Sequence, residues 1–325
     1  MDEIWKELVL QRTGAKGVER GESIQSLWSG FGEIFRAHLM PANLGSVIVK
    51  HIAPEGGGAH PRGWGTDLST QRKLRSYAVE AHWYADWSPR LSNRADCRIA
   101  EYLGAAEEGS QRWIVLEDLD AAGFDRRRGR LDVETARVGL RWLANFHGIF
   151  LGDSPTGLWP VGTYWHLATR PDEFQAMQDG PLKEIAVELD ALLSDCKYQT
   201  IVHGDAKVAN FCFSPACDQV AAVDFQYVGG GCGMKDVAYF FGSCFDESEC
   251  ERWVPSLLDD YFSQLKIAVA DKGVDGDALE SEWRDLFAPA WADFHRFLSG
   301  WVPSHAKIHR YTRQMTAETL QRLGR

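Results

Sequence analysis

No apolar run in this sequence is long enough to cross a bilayer: the longest, around Val237 to Phe245, falls well short of the roughly 20 residues a membrane helix needs. The first residues, Met1-Asp2-Glu3-Ile4-Trp5-Lys6, lack the basic start and apolar core of a secretory signal, so the expectation is a cytoplasmic protein with no membrane partner. The seven cysteines include no Cys-x-x-Cys pair and are odd in number, which disfavours a zinc site or disulfide frame and predicts reduced, mostly buried thiols. Basic residues are also scarce. Lys and Arg total 35 against 46 Asp and Glu, and a net charge of -11 argues against a nucleic-acid partner. There is no internal repeat and no long low-complexity tract. What is left, 325 residues at 45% hydrophobic and 25% charged, suits an ordinary globular chain of one large or two intimately packed domains.

Chemistry is concentrated in one stretch, Ile201-Val202-His203-Gly204-Asp205-Ala206-Lys207-Val208-Ala209-Asn210-Phe211, followed by Asp224-Phe225-Gln226. Phosphoryl transfer needs a carboxylate beside the attacking hydroxyl, cations on the non-bridging oxygens, and protein ligands that fix those cations. Asp205 supplies the first, as general base or orienting acceptor. Lys207 suits the transferred phosphoryl group, and Asn210 and Asp224 are oxygen ligands of the kind magnesium prefers. Phe211-Cys212-Phe213 and Val220-Ala221-Ala222-Val223 read as strands of a hairpin turning through Ser214 to Asp218, which returns Asp224 toward Asn210.

Upstream, Ile4 to Leu10 fits a short amphipathic helix without chemistry, and a strand-like run opens at Ser23. Gly30 and Gly32 form a Gly-x-Gly turn that is either a plain hairpin turn or a close approach for phosphate oxygens. Gly45 to Ile52 is a strand pattern leading to Lys50, which is either a solvated strand lysine or a charge for nucleotide phosphates. Glu80, on a helix expected over Thr66 to Trp87 after a Gly56 to Gly65 loop, is the candidate ion-pair partner of Lys50. Cys97 to Leu103 and Trp113 to Leu116 read as strands. Glu117 and Asp118 read as a polar connector near a possible adenine slot, with neither side chain assigned as a ligand.

Downstream, Asp125 to Arg130 is a basic run best explained as an exposed loop before a helix that carries Val138, Trp142 and Phe146 on one face. His147 reads as structural. The Pro/Gly loop from Leu151 to Phe174, with Trp159, Tyr164 and Trp165, is expected to cap the second lobe or line a cleft. Gly229 to Gly233 reads as either a structural turn or an approach to the acceptor. Helices are expected over Leu182 to Asp195, Trp253 to Ala270, Leu279 to Phe297 and Lys307 to Leu323. Trp283, Trp291, Asp293 and His295 are possible substrate contacts, with core packing preferred for the tryptophans.

His203-Gly204-Asp205 and Asp224-Phe225-Gln226 stand where protein kinases carry His-Arg-Asp and Asp-Phe-Gly. With Asn210 five residues after Asp205, the pattern resembles the aminoglycoside phosphotransferase and choline kinase group. Leu116-Glu117-Asp118-Leu119 and Lys235-Asp236-Val237-Ala238-Tyr239-Phe240 make it most similar to the ecdysteroid-kinase-like, or CHK-kinase-like, branch, over roughly residues 25 to 265. The resemblance implies an α+β, two-lobed protein-kinase-like fold: an N-lobe of antiparallel sheet and helix over residues 1–119, a largely helical C-lobe over 120–325, and ATP with magnesium in the cleft. It matches Gly30 and Gly32 to the phosphate loop and Lys50 and Glu80 to the strand lysine and its helix partner. Asp205 matches the catalytic aspartate, Asn210 and Asp224 the metal ligands, and His203 and Asp236 the support of the catalytic loop. Two departures are a glycine loop shorter than Gly-x-Gly-x-x-Gly and Gln226 in place of the last glycine.

Only 11 residues, Phe225 to Lys235, separate Asp224 from Asp236, and no Ala-Pro-Glu follows, so there is little room for a phosphorylated activation segment. The expected partner is therefore a small-molecule hydroxyl acceptor. The alternative is a catalytically inactive nucleotide-binding regulator on the same fold.

Overall fold

The structure is a computed structural model that describes residues 4–54 and 67–325. The expected Gly56 to Gly65 loop, Thr66 at the expected helix start, and Met1 to Glu3 lie outside the described residues. The chain divides into two compact units. One comprises Met1–Arg94, Arg98–Arg126 and Cys212–Val223; the other takes Ala95–Cys97, Arg127–Phe211 and Asp224–Arg325. The fold is α+β and protein-kinase-like.

The first unit begins with α1 (Ile4–Thr13), followed by β1 (Gly17–Ser26), β2 (Gly32–Met40), β3 (Ser46–Ile52), α2 (Asp67–His82), β4 (Arg98–Ile99), β5 (Tyr102–Glu108) and β6 (Gln111–Glu117). Five strands form an antiparallel sheet in the order β1-β2-β3-β6-β5. The pleat sends alternate side chains to opposite faces. Phe35, Ala37 and Leu39 of β2, Val47 and Val49 of β3, and Trp113 and Val115 of β6 share one core with Trp5 and Val9 of α1. The opposite parity places Lys50 in register between Ile34 and Ile114, away from α1. The helix that carries no chemistry is thus what makes one face of this sheet a core.

Several boundaries differ from expectation: the helix expected over Leu182 to Asp195 is two, Pro181–Glu184 and Ala186–Ser194, and those expected from Trp253, Leu279 and Lys307 open at Glu247, Gly276 and Arg310. β1 opens at Gly17 rather than Ser23, because register shifts between Arg20 and Gln25 break the alternation that would have revealed it. The run Cys97 to Leu103 is two strands: Arg98 and Ile99 pair in parallel with Ala221 and Ala222, and Tyr102 opens β5 in the larger sheet. The helical pattern beyond His82 widens into a π turn over Trp83–Trp87, then tightens over Ser88–Leu91.

After β7 (Arg126–Arg127), the second unit is mostly helical, with α3 (Val133–Ile149), α4 (Pro171–Ala176), α5 (Pro181–Glu184) and α6 (Ala186–Ser194) ahead of β8 (Thr200–Val202). β9 (Phe211–Phe213) and β10 (Val220–Ala222) form the expected hairpin, in a sheet ordered β4-β10-β9-β7. β11 (Gly229–Gly231) returns antiparallel to β8, and α7 (Met234–Cys244), α8 (Glu247–Ala268), α9 (Gly276–Trp301) and α10 (Arg310–Arg322) complete the chain. Asp132 caps α3 by accepting from the Thr135 amide. Asp246 and Glu249 form a capping box on α8. All seven cysteines are free thiols. Among the described residues no helix is long and apolar enough to cross a membrane.

The packing of α1 sets a stability test. Trp5→Ala removes a buried indole stacked edge-on against Phe35 and is expected to destabilise the full chain by about 3–5 kcal/mol in a denaturant titration. A loss below about 1 kcal/mol would mean that α1 does not hold the sheet.

Candidate active site

The loop from His203 to Asn210 follows β8 and is held by its backbone. The Asp236 carboxylate, fully buried in the first turn of α7, accepts from the His203 amide at 2.6 Å and the Gly204 amide at 2.9 Å. His147 Nε2 lies 3.1 Å from the same carboxylate, so this nitrogen bears the proton, and Nδ1 meets the Tyr261 hydroxyl at 2.8 Å. That is a structural histidine, as expected. Gly204 has φ +80, and a Cβ there would strike the Tyr227 carbonyl, so only glycine fits. The Tyr164 amide donates to the Gly204 carbonyl, so the aromatic Pro/Gly loop pins the opposite side of the same residue.

His203 is buried against Phe225 (4.7 Å between centroids) and Phe211, and its Nδ1 accepts from the Asp205 amide at 3.2 Å. This arrangement presents Asp205 with its two oxygens in different states. Oδ2 accepts from Lys207 Nζ at 2.8 Å and from Asn210 Nδ2 at 3.0 Å, whereas Oδ1 is buried with no hydrogen-bond partner. Burial, and then the negative charge of Asp224, raise the Asp205 pKa against the opposing pull of Lys207. For Lys207, burial works against the ammonium, but the Asp205 carboxylate outweighs it and the pKa lies above the ordinary value.

The donor set fits a hard divalent cation. The Asn210 amide nitrogen is committed to Asp205, bonding its backbone carbonyl at 2.8 Å as well as Oδ2, so the amide oxygen is the end left for a metal. Asp224 follows β10 with φ +69, a conformation Asp tolerates better than most residues, and stands at the same end of the hairpin as Asn210. Two protein oxygens suit magnesium, which keeps several waters or phosphate oxygens. Among the described residues no cluster of three or more His, Cys, Asp or Glu offers an alternative metal site.

The first unit holds the other four expected residues. Lys50 is only 4% exposed and its ammonium lies 2.5 Å from Glu80 Oε2, itself 2% exposed, so the pair forms as the sequence suggested and neither group is solvated. Gly30 and Gly32, with φ +74 and +123, flank the tight turn between β1 and β2. A Cβ on Gly32 would strike the His51 carbonyl of β3, a steric reason for glycine that is independent of any ligand. Asp118 is not a solvated connector. It is 3% exposed and accepts from Ser46 Oγ and Arg36 Nε, each at 2.6 Å; despite burial, that guanidinium holds its pKa below the usual range.

Other candidates resolve as structure. The Trp283 indole donates to the Tyr198 carbonyl, Trp291 to Thr312, and His295 bonds Thr316. Asp293 is fully buried and bonded by Trp165 and Arg296. Arg130 of the basic run pairs with Asp246 and Glu249 at the start of α8. β11 is a buried strand against β8, which decides Gly229 to Gly231 in favour of structure. Sequence reasoning passed over Tyr239 as a site residue. It is buried with its ring 5.6 Å from that of Tyr164, and burial followed by the Asp205 charge pushes its pKa well up. The signal was available as the helical offset of three from Asp236.

With this geometry in view, the comparisons are decisive for family. The ecdysteroid kinase-like family model matches residues 65–151 and 165–273, more than half of the chain. The chain belongs to the ecdysteroid kinase-like family. No curated protein matches the sequence. Among solved structures, a microcompartment-associated aminopropanol kinase superposes with TM-score 0.51 at 11% identity, covering 96% of this chain and 91% of that one. An aminoglycoside phosphotransferase in ternary complex with ADP and hygromycin B gives 0.50 at 10% identity, covering 98% of each chain. An amicoumacin kinase complexed with AMP-PNP and Ca2+ gives 0.50 at 11% identity, covering 97% of this chain and 92% of that one. At such identities the likeness concerns the fold.

In this ecdysteroid kinase-like chain the raised pKa of Asp205 has a stability consequence. A carboxyl whose folded pKa exceeds its unfolded value contributes stability that is complete below the unfolded value and lost as pH rises through the folded one. Without nucleotide or divalent metal, Asp205→Asn is therefore expected to melt above wild type at pH 7 to 8, by roughly 1–4 °C, with the gap closing as pH approaches 4. A variant that melts below wild type at pH 8 would contradict the burial argument.

Proposed function

We propose that this protein is an ATP-dependent phosphotransferase that moves the γ-phosphate to a hydroxyl of a small molecule. The observation that carries this reading is the buried, unpartnered Asp205 Oδ1 in a carboxylate whose other oxygen is bound by Lys207 and Asn210. An unmet buried acceptor is costly unless a ligand supplies the donor, and a substrate hydroxyl is such a donor. The acceptor oxygen attacks the γ-phosphorus in line. Its new P–O bond forms as the bond from the γ-phosphorus to the bridging oxygen breaks, the electron pair leaves on ADP, and the hydroxyl proton passes to Asp205 Oδ1.

Lys207 is placed to trade its contact with Asp205 for the transferred phosphoryl group. Asn210 and Asp224 would hold magnesium, which when bound neutralises charge on the phosphate oxygens. Lys50, oriented by Glu80, is assigned to the α- and β-phosphates, and the turn at Gly30 and Gly32 to the phosphate backbone. His203 and Asp236 support the loop without touching substrate. ATP and a divalent ion are supported by the ligands of the structures that share the fold, ADP in one and AMP-PNP with Ca2+ in another.

A small-molecule acceptor is favoured over a protein because residues 225–236 are almost wholly buried, with β11 paired to β8 and its Gly230 bonded to Trp159 and Gly162. A segment packed this way leaves no loop to be ordered by phosphorylation. The inactive-regulator reading is disfavoured because every residue type the transfer requires is present.

The test is an ATP-consumption screen over small alcohols with identification of the phosphorylated product, run on wild type and two variants. Asp205→Ala should lower turnover by roughly 10²–10⁴ with nucleotide binding retained, and Asp224→Ala should weaken magnesium-dependent nucleotide binding. Full turnover in Asp205→Ala, or an unchanged metal requirement in Asp224→Ala, would sink the assignment.

A further inference from the structure

A second lysine that feels the charge of Asp205 is left without a task by the transfer reading. Lys307 lies in the segment between α9 and α10. Its backbone is fixed at both ends: its amide donates to His305 Nδ1 at 3.1 Å, and its carbonyl accepts from Thr312 Oγ1 at 2.6 Å. The ammonium is thereby laid over two aromatic faces, 4.9 Å from the Tyr239 ring centroid and 5.6 Å from that of Phe294. Tyr239 stands on α7 three residues after Asp236, and the charge of Asp205 acts on both Tyr239 and Lys307.

The other cations of this region are matched by acids. Arg170 pairs with Glu173 at 3.0 Å, Arg296 with Asp293 at 2.8 Å, and Lys207 with Asp205 at 2.8 Å. Lys307 differs: among the described residues no carboxylate comes within ion-pair distance of it, and its ammonium faces aromatic rings instead. Burial drives its pKa down to about 8, with Lys207 adding to the fall, and Cys244 and then Asp205 offset this only in part. Aromatic faces attract a cation but do not replace its lost hydration. An ammonium held in this way is completed by an anion brought from outside.

We propose that Lys307 is the acceptor-specificity residue and that the phosphorylated alcohol carries an anionic group, a carboxylate or phosphate monoester, seated on Lys307 with the body of the molecule against Tyr239 and Phe294. This rests on the phosphotransfer reading for Asp205 but turns on separate atoms. The acids that pair with Arg170 and Arg296, Glu173 and Asp293, are buried and already engaged, so neither is free for a cationic amino alcohol or aminosugar. The anionic group fixes the hydroxyl by one charge-assisted contact, while Lys207 remains with the transferred phosphoryl group.

The test uses the full chain and does not depend on turnover. An amine-acylating reagent at pH 8 is applied with Mg-AMP-PNP present, and modification of Lys307 is read by peptide mass mapping. Mandelate, glycerol phosphate, mandelamide and phenylglycinol are the added probes. Protection by mandelate or glycerol phosphate, with little from mandelamide or phenylglycinol, is expected, and whichever anion protects identifies the acid class. Equal or better protection by phenylglycinol, no protection by either anion, or full protection by Mg-AMP-PNP alone would overturn the proposal.

A second arm follows ATP consumption with the same compounds. For the anion that is turned over, Lys307→Met should raise KM roughly ten- to hundredfold with kcat and the KM for ATP nearly unchanged, and Lys307→Arg should recover part of the loss. An unchanged acceptor KM in Lys307→Met would overturn the proposal. Protection of Lys307 by an anion without ATP consumption would retain the anion site and reject the phosphotransfer reading instead.

Discussion

The carboxylate of Asp236 is the constraint on which the site depends. A loop that must aim one acid, one amine and one amide has few backbone hydrogen bonds of its own, and Asp236 supplies two by accepting from His203 and Gly204. Its helix does more. Asp236, Tyr239, Phe240 and Ser243 lie along one face of α7, at offsets that bring them to the same side. Asp236 holds the start of the loop, Tyr239 lies in the field of Asp205, Phe240 packs on Phe211 at 5.3 Å, and Ser243 accepts from the Val208 amide at 3.0 Å. One helix face therefore sets the loop along its whole length, and any change in how α7 sits is felt at Asp205.

The site gathers charged groups that are costly to bury together. Asp205 is a buried acid near a second acid, with one oxygen unmet. Lys207 has three donors and commits one of them to Asp205 Oδ2. The buried Lys50–Glu80 pair in the first unit is held in the same manner, each charge depending on the other. Such arrangements gain little stability but fix geometry, as expected where charge must be stabilised the moment it develops.

What was legible in the sequence was chemistry confined to short spacings. His203, Asp205, Lys207 and Asn210 fall within eight residues, Asp224 returns by a hairpin, and Asp236 opens the next helix, so local structure alone brings them together. The Lys50–Glu80 pair was legible because a lysine on the strand face opposite Val47 and Val49 needs a partner from a helix. Tertiary matters were hidden. The role of α1 depends on Trp5 meeting Phe35 and Val49, the burial of Asp118 depends on Arg36 and Ser46, and the setting of Lys307 depends on the rings of Tyr239 and Phe294. Register shifts concealed the start of β1, and a change of sheet split the run at Cys97.

Amide hydrogen exchange at His203 and Gly204, compared between wild type and Asp236→Asn, tests the central claim most directly. If the buried carboxylate holds the loop, these two amides exchange roughly ten- to hundredfold faster in a variant that remains folded, as loss of a charged acceptor predicts, while α9 keeps its protection. Unchanged exchange at both amides in the folded variant would contradict the account.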